Sequence, residues 1–321
     1  MIKNQSAEYF FRHFGFTGIN QNNKVFLFHL TTEGNTILFF GDRILRNRLF
    51  FQPFLSFLNY FPILIFWNPF HPHWVIIINM IFHPKIKAVI FDLGDTLMLP
   101  SGSWESVFLH ASSALQNYLC ENNIIPPSLN FRSIFLESLN EYYQIREKTL
   151  RETTTSALLR ELLSKYQIRP TDDIELNEAL DTFYQVTRSN WHIDPQSPVT
   201  LRKLREDGLQ IGMISNAGNE ADVIKLLENF AILPYFSFVI TSAGVGYRKP
   251  HSNIFSHIFD HWTYAPNEMM MVGDRLDTDV LGARDFGLHT VWLNRKGKKN
   301  TIPALKPDIE TRELHTFHQF L

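Results

Sequence analysis

Residues 87–97 read KAVIFDLGDTL: four apolar residues, Ala88 to Phe91, lead into Asp92 and a polar turn that holds Gly94, Asp95 and Thr96. A short apolar run bounded by turn residues is the signature of a buried strand. In open parallel sheets, ligands sit at the carboxyl ends of the strands, so the strand delivers Asp92 to where a reactive group is needed. Asp92 is the candidate nucleophile.

Downstream of this strand the sequence turns helical for about a hundred residues. Apolar residues recur at near-helical spacing over 103–121, 133–146, 153–166 and 174–188, with Pro126-Pro127 ending the first stretch. Four helices of this kind suit a small bundle. From Pro198 onward, helices are expected at 199–207, 220–229, 252–262 and 279–286. They alternate with strands at 209–214, 236–241, 268–272 and 289–293. Alternation at these lengths implies right-handed βαβ crossovers and a parallel sheet. The expected fold is α/β: a Rossmann-like doubly wound parallel sheet core with an inserted α-helical bundle cap. Its domains are a Phe-rich extension at 1–83, a core at 84–97 and 198–321, and a cap at 98–197.

Polar clusters punctuate the strand exits in a fixed order: Asp92 with Gly94, Asp95 and Thr96; Ser215-Asn216; Arg248-Lys249-Pro250; and Gly273-Asp274 with Asp277 and Asp279. Any one of them could be a helix cap or a turn. A phosphate dianion is repelled by a carboxylate unless a cation bridges the two. Carboxylates from two strand ends plus a lysine are therefore the minimum set for phosphoryl transfer. Asp92, Asp274 and Lys249 supply that set, and Mg²⁺ is satisfied by a few oxygen ligands and waters.

The order and wording of these clusters, GVGYRKPHSNIF and VGDRLDTDVLGAR in particular, resemble the haloacid dehalogenase superfamily from about residue 84 onward. The likeness is to phosphatase-type members with a helical cap after the first motif. The resemblance implies that Asp92 forms an aspartyl-phosphate that water hydrolyses, that Ser215, with Asn216 beside it, contacts the phosphoryl oxygens, and that Lys249 offsets their charge. It further implies Mg²⁺ held by Asp92, the backbone carbonyl of Gly94 and Asp274, with Asp279 supporting Lys249 or the metal's waters.

The sequence departs from the family's pattern at one position: the second aspartate expected two residues after the nucleophile is Gly94. General acid/base help is worth ~10²- to 10⁴-fold, so its loss weakens turnover of unactivated alkyl phosphates and leaves metal binding intact. Asp95 either replaces the missing acid or caps the turn, and Thr96 braces the loop. Arg146, Arg151, Arg160 and Arg188 are the cap's candidate anion contacts. Trp191 and His192 stand near the return from cap to core. Two alternatives to a phosphatase are carbon-halogen hydrolysis by the same nucleophile and a weakly catalytic binding module.

Composition narrows the partners. Thirty Lys plus Arg against 32 Asp plus Glu give a formal charge of -2, which lacks the basic field of a nucleic-acid binder. The expected partner is a small phosphorylated substrate. Cys120 is the single cysteine, in keeping with a reducing, cytoplasmic setting. Of 29 Phe residues, 16 fall at or before Phe82 with no sustained period, so the amino-terminal stretch is unlike the rest. Residues 49–67 have the length of a membrane span but are interrupted by Gln52, Pro53, Ser56, Asn59 and Pro62. A start at Met80, an interfacial segment and a packed extension all remain open. His71 and His73 are the nearest approach to a histidine cluster.

Overall fold

The computed structural model describes residues 14–20, 25–32, 35–40, 43–45, 63–67, 74–78, 86–168 and 172–321, with side-chain surroundings for 86–168, 172–318 and 321. The chain divides into two compact units, Met1–His83 and Pro84–Leu321. In the first, β1 (Phe14–Asn20), β2 (Val25–Thr32), β3 (Asn35–Phe40) and β4 (Arg43–Leu45) form an antiparallel sheet, and β5 (Ile63–Trp67) pairs with β6 (Trp74–Ile78). Of the membrane-length stretch, residues 49–62 lie outside the described residues and the remainder is β5. His71 and His73 also lie outside them. Among the described residues no helix is long and apolar enough to cross a membrane.

The second unit is organised around β7 (Ala88–Phe91), all four residues of which are fully buried. A strand with no exposed face needs cover on both sides, which is what helices connecting parallel strands provide. Val89 and Phe91 pack in a cluster with Met213, Val272, Leu201 and Phe317, while Ala88 and Ile90 pack in another with Ile214, Met271 and Phe255. Alternate residues of one strand thus anchor two apolar layers. Truncating Phe91 to alanine would cost about 3–5 kcal/mol at such a site.

The strands after the helical block are β10 (Gln210–Ser215), β11 (Phe238–Thr241), β12 (Met269–Gly273), β13 (His289–Leu293) and β14 (Ile309–Thr311). The sheet order is β11-β10-β7-β12-β13-β14, and every pairing is parallel. The chain builds outward on one side of β7, then crosses and builds outward on the other. The direction of winding therefore reverses at the carboxyl end of β7, where α/β sheets open a crevice. Register fixes what meets there. Phe91 is level with Met213 of β10 and Val272 of β12, so Asp92 emerges one residue beyond that row and Ser215 and Asp274 two beyond.

Between β7 and β10 lie α1 (Trp104–Glu121), α2 (Phe131–Thr149), α3 (Thr155–Lys165) and α4 (Asp173–Ser189), followed by α5 (Gln196–Glu206). Side chains start two of them: Thr154 accepts from the backbone N–H of Ala157, and Asp172 from that of Glu175. The first four share an apolar core of their own, with Leu115, Phe135, Leu159 and Phe183 among its buried members.

The structure adds elements that the periodicity missed. β8 (Met98–Pro100) and β9 (Trp191–Ile193) pair antiparallel across the two ends of the helical block, and β14 extends the sheet to six strands. Three residues are too few to display a period. Residues 252–262 divide into the helix Ser252–Ser256 and a 3₁₀ turn, His257–Asp260, while the last crossover helix is preceded by a π turn at Leu276–Val280 that carries Asp277 and Asp279.

Candidate active site

Three backbone segments converge at the carboxyl end of β7. The Asp92 N–H donates to the carbonyl of Val272 at 2.9 Å, tying the first residue past the strand to β12. Its carboxylate is nearly buried, with Oδ2 accepting from Thr96 Oγ1 at 3.2 Å and Oδ1 from Lys249 Nζ at 2.6 Å. Thr96 thus braces the carboxylate itself.

Lys249 is 2% exposed, so its charge has to be satisfied inside the protein. Nζ donates to Asp92 and to the Ile214 carbonyl at 2.8 Å, and it stands 2.7 Å from Oδ1 of Asp279. Burial works against the ammonium, but the charges of Asp279 and Asp92 outweigh it and raise its pKa. Lys249 is therefore a fixed cation. Asn216 holds its backbone: Nδ2 donates to the Lys249 carbonyl at 3.1 Å and Oδ1 accepts from the Lys249 N–H at 2.8 Å. Asn216, expected from the sequence to lie beside Ser215 at the substrate, uses one amide N–H and the amide oxygen to position Lys249.

Asp92, Asp274 and Asp279 each present a carboxylate oxygen within 4.8 Å of the others. Three carboxylates face one ammonium, which leaves a concentrated negative charge. Burial first, then the charges of Asp92, Asp279 and Asp95, push the Asp274 carboxyl up to about 8 against the pull of Lys249. An all-oxygen set with unbalanced charge has the chemistry of a hard divalent cation site, so these residues fit Mg²⁺. Two contacts fix the geometry. Trp292 Nε1 donates to the Asp274 carbonyl at 2.9 Å, and the Asp279 carboxylate lies where a Cβ at position 273 would be, so only glycine serves there. Asp279 Oδ2 also accepts from the Arg275 N–H at 3.0 Å.

The turn after Asp92 carries the departure from the family's pattern. Asp95 has φ of 55°, a left-handed conformation that aspartate tolerates better than most side chains. A Cβ built on Gly94 would stand 3.0 Å from Cη2 of Trp191, so an indole ring occupies the space beside the glycine. Arg295 steadies the same turn. It donates to the Thr96 carbonyl at 2.8 Å and to that of Asp95 at 3.4 Å, and pairs with Asp194 just past β9. Ser215, at the end of β10, is buried on the neighbouring strand.

The four cap arginines are each engaged by protein groups. Arg146 lies 3.7 Å over the Tyr143 ring and 3.6 Å from Glu152, Arg151 lies 4.3 Å over Tyr247, Arg160 pairs with Asp173, and Arg188 bridges Asp222 at 2.7 Å and Asp181 at 2.9 Å. Glu152, which the sequence did not single out, has a fully buried carboxylate. It accepts from Tyr142 Oη at 2.5 Å, from Ser242 Oγ at 2.6 Å and from Arg248. It joins the helical block to the residue beside Lys249.

A family model described as haloacid dehalogenase-like hydrolase matches residues 86–287. The chain is 34% identical over 214 residues to a glyceraldehyde 3-phosphate phosphatase of Pyrococcus furiosus, covering 65% of this chain and 81% of that one. To the glyceraldehyde 3-phosphate phosphatase of Methanocaldococcus jannaschii it is 29% identical over 219 residues, covering 66% and 86%. Among solved structures, 2-haloacid dehalogenase from Pseudomonas syringae pv. Tomato DC3000 is similar in fold, with a TM-score of 0.57 at 22% identity, covering 73% of this chain and 97% of that one.

Proposed function

The chain belongs to the haloacid dehalogenase-like hydrolases, and we propose that it is a Mg²⁺-dependent phosphomonoesterase that acts on a small phosphorylated metabolite through Asp92. The observation that carries this reading is the placement of Lys249 Nζ between Asp92 and Asp279, with Asp274 in the same acidic group. Relatives named as phosphatases at 29% and 34% identity support it.

A carboxylate oxygen of Asp92 attacks phosphorus and the bond to the leaving-group oxygen breaks, giving an aspartyl-phosphate; water then attacks phosphorus and restores the carboxylate. Lys249 pairs with the nucleophile and offsets charge on the transferring group, and Thr96 holds Asp92 in one orientation. Ser215 donates to a phosphoryl oxygen. With no carboxyl at 94, Asp95 is the acid left in this turn to relay a proton to and from the leaving group, and from its displaced position it does so weakly. Asp92, Asp274 and the Gly94 carbonyl would hold Mg²⁺, with Asp279 supporting through Lys249. Bound there, the ion neutralises the approach of a phosphate dianion to a carboxylate. The helical block 98–197 acts as the cap over this crevice, and a cytoplasmic setting suits both such substrates and the single cysteine.

The test is a phosphate-ester panel assayed on the full chain with Mg²⁺ and with chelator. Metal-dependent phosphate release that disappears in Asp92→Asn supports the reading. Release of no phosphate from any ester would sink it.

A further inference from the structure

We infer that Trp191, backed by Trp104, is a specificity residue that forms the leaving-group wall of the site and selects phosphate esters whose leaving group is a planar aromatic ring. This rests on the phosphatase reading and adds a substrate class to it.

Two observations converge on this. The first is steric. Trp191 lies on β9, where the chain returns from the helical block. The far edge of its indole rests on Gly94, with Cη2 3.0 Å, Cζ3 3.8 Å and Cζ2 3.7 Å from where a Cβ would be. The ring of Trp104, the first residue of α1, meets it at 4.9 Å between centroids and 60°, and Phe108 follows Trp104 at 5.7 Å. Trp191 is partly buried and packs against the apolar cluster that also holds Phe91 and Leu93, which places the indole beside the turn that follows the nucleophile. Aromatic rings meet such surfaces in offset or tilted arrangements that favour a planar guest over a flexible chain.

The second observation is chemical. The residue pair that creates the wall also removes the carboxyl that would protonate a departing oxygen. An alkoxide cannot leave readily without that proton. An aryloxide can, because a phenol ionises near pH 10, as tyrosine does. In the step required, the Asp92 oxygen bonds to phosphorus, the bond from phosphorus to the aryl oxygen breaks, and the aryloxide departs with the electron pair and takes a proton from solvent. An aromatic leaving group is the class for which both changes at position 94 are favourable.

The test compares phenyl phosphate, acetyl phosphate and ethyl phosphate as substrates of the full chain in Mg²⁺, using the parent, Trp191→Leu and Trp191→Phe. Acetyl phosphate has a good leaving group and no ring, and its turnover also reports that each variant is folded. The expected result is a parent that prefers phenyl over ethyl phosphate. In Trp191→Leu, KM for phenyl phosphate should rise about tenfold, the upper end of what one ring contact is worth, while acetyl phosphate kinetics hold within about twofold; Trp191→Phe should recover most of the loss. Equal losses on phenyl and acetyl phosphate would reduce Trp191 to a packing residue, and no change on either would remove it from the site; both outcomes overturn this inference and leave the phosphatase reading standing. A parent that hydrolyses none of the three esters overturns both.

Discussion

Lys249 and Asp92 form an ion pair of 2.6 Å that is closed to solvent on the lysine side, where the side chain is 1% exposed. The same ammonium stands 2.7 Å from Asp279, so one cation holds two carboxylates of the acidic group.

Lys249→Met should therefore damage both stability and rate. Removing one partner of a buried pair costs about 3–5 kcal/mol, and losing fixed charge at the reacting group costs on the order of 10²- to 10³-fold. Urea unfolding and phosphate release, measured on the same preparation, check the two effects separately. Lys249→Arg should not rescue the rate, because a wider guanidinium does not fit a site that is 2% exposed.

Asp274 should cost the metal-free protein stability as pH rises from the ordinary carboxyl range to about 8. Its folded pKa, pushed up to about 8 by burial and its acidic neighbours, lies above the ordinary carboxyl value of 3.8. Between those values the folded protein keeps a proton that the unfolded chain has lost. The contribution of Asp274 to stability in chelator should thus be largest below the lower value, fall as pH rises through this window and level off beyond it. Asp274→Asn should flatten that slope. In the parent, Mg²⁺ affinity should rise with pH up to about 8, because binding must release the proton. Thermal unfolding in chelator and metal titration by calorimetry across the window test both.

Gly94→Asp alone should raise turnover of ethyl phosphate only in part, since the new Cβ would meet Trp191 Cη2 at 3.0 Å and the indole would have to give way. Gly94→Asp combined with Trp191→Ala makes room for the carboxyl and should raise kcat on ethyl phosphate by about 10²-fold, the low end of general acid catalysis. A full gain from the single substitution would show that the indole is no obstacle. Loss of ethyl phosphate turnover in Asp95→Asn would confirm that Asp95 carries the proton in the parent.

Glu152 and Arg248 should be coupled. Glu152→Met alone leaves the buried Arg248 guanidinium with a long 3.5 Å contact to Glu147 and should cost about 3–5 kcal/mol, whereas Glu152→Met with Arg248→Met removes the unpaired charge and should recover part of it, the Tyr142 and Ser242 hydroxyls still lacking the Glu152 acceptor. A double-mutant cycle in urea reads the coupling, and simple additivity would show that the two charges act independently.

The legible parts of this molecule were those written locally. Ala88 to Phe91 announce a buried strand because all four are apolar and a turn follows. Asp92 and Asp274 stand out because each follows a strand exit, and Lys249 because it stands between them in a set order, beyond the short helix that follows β11. Other features depend on segments meeting from far along the chain. Trp191 fills the space at Gly94 only because β9 returns to pair with β8, and both strands are three residues long. Arg295 reaches back to Thr96, and Glu152 to Arg248, across separations that leave no periodic trace. Asn216 was noticed for its place beside Ser215, but its task of clasping the Lys249 backbone could be seen only in three dimensions.

The most direct test of an aspartyl-phosphate at Asp92 is to quench the full chain in acid during turnover of acetyl phosphate with Mg²⁺, reduce it with borohydride and map the peptides by mass spectrometry. Homoserine at position 92, absent when Mg²⁺ or substrate is withheld, is the expected result. Steady phosphate release with Asp92 unmodified, and retained in Asp92→Asn, would contradict it.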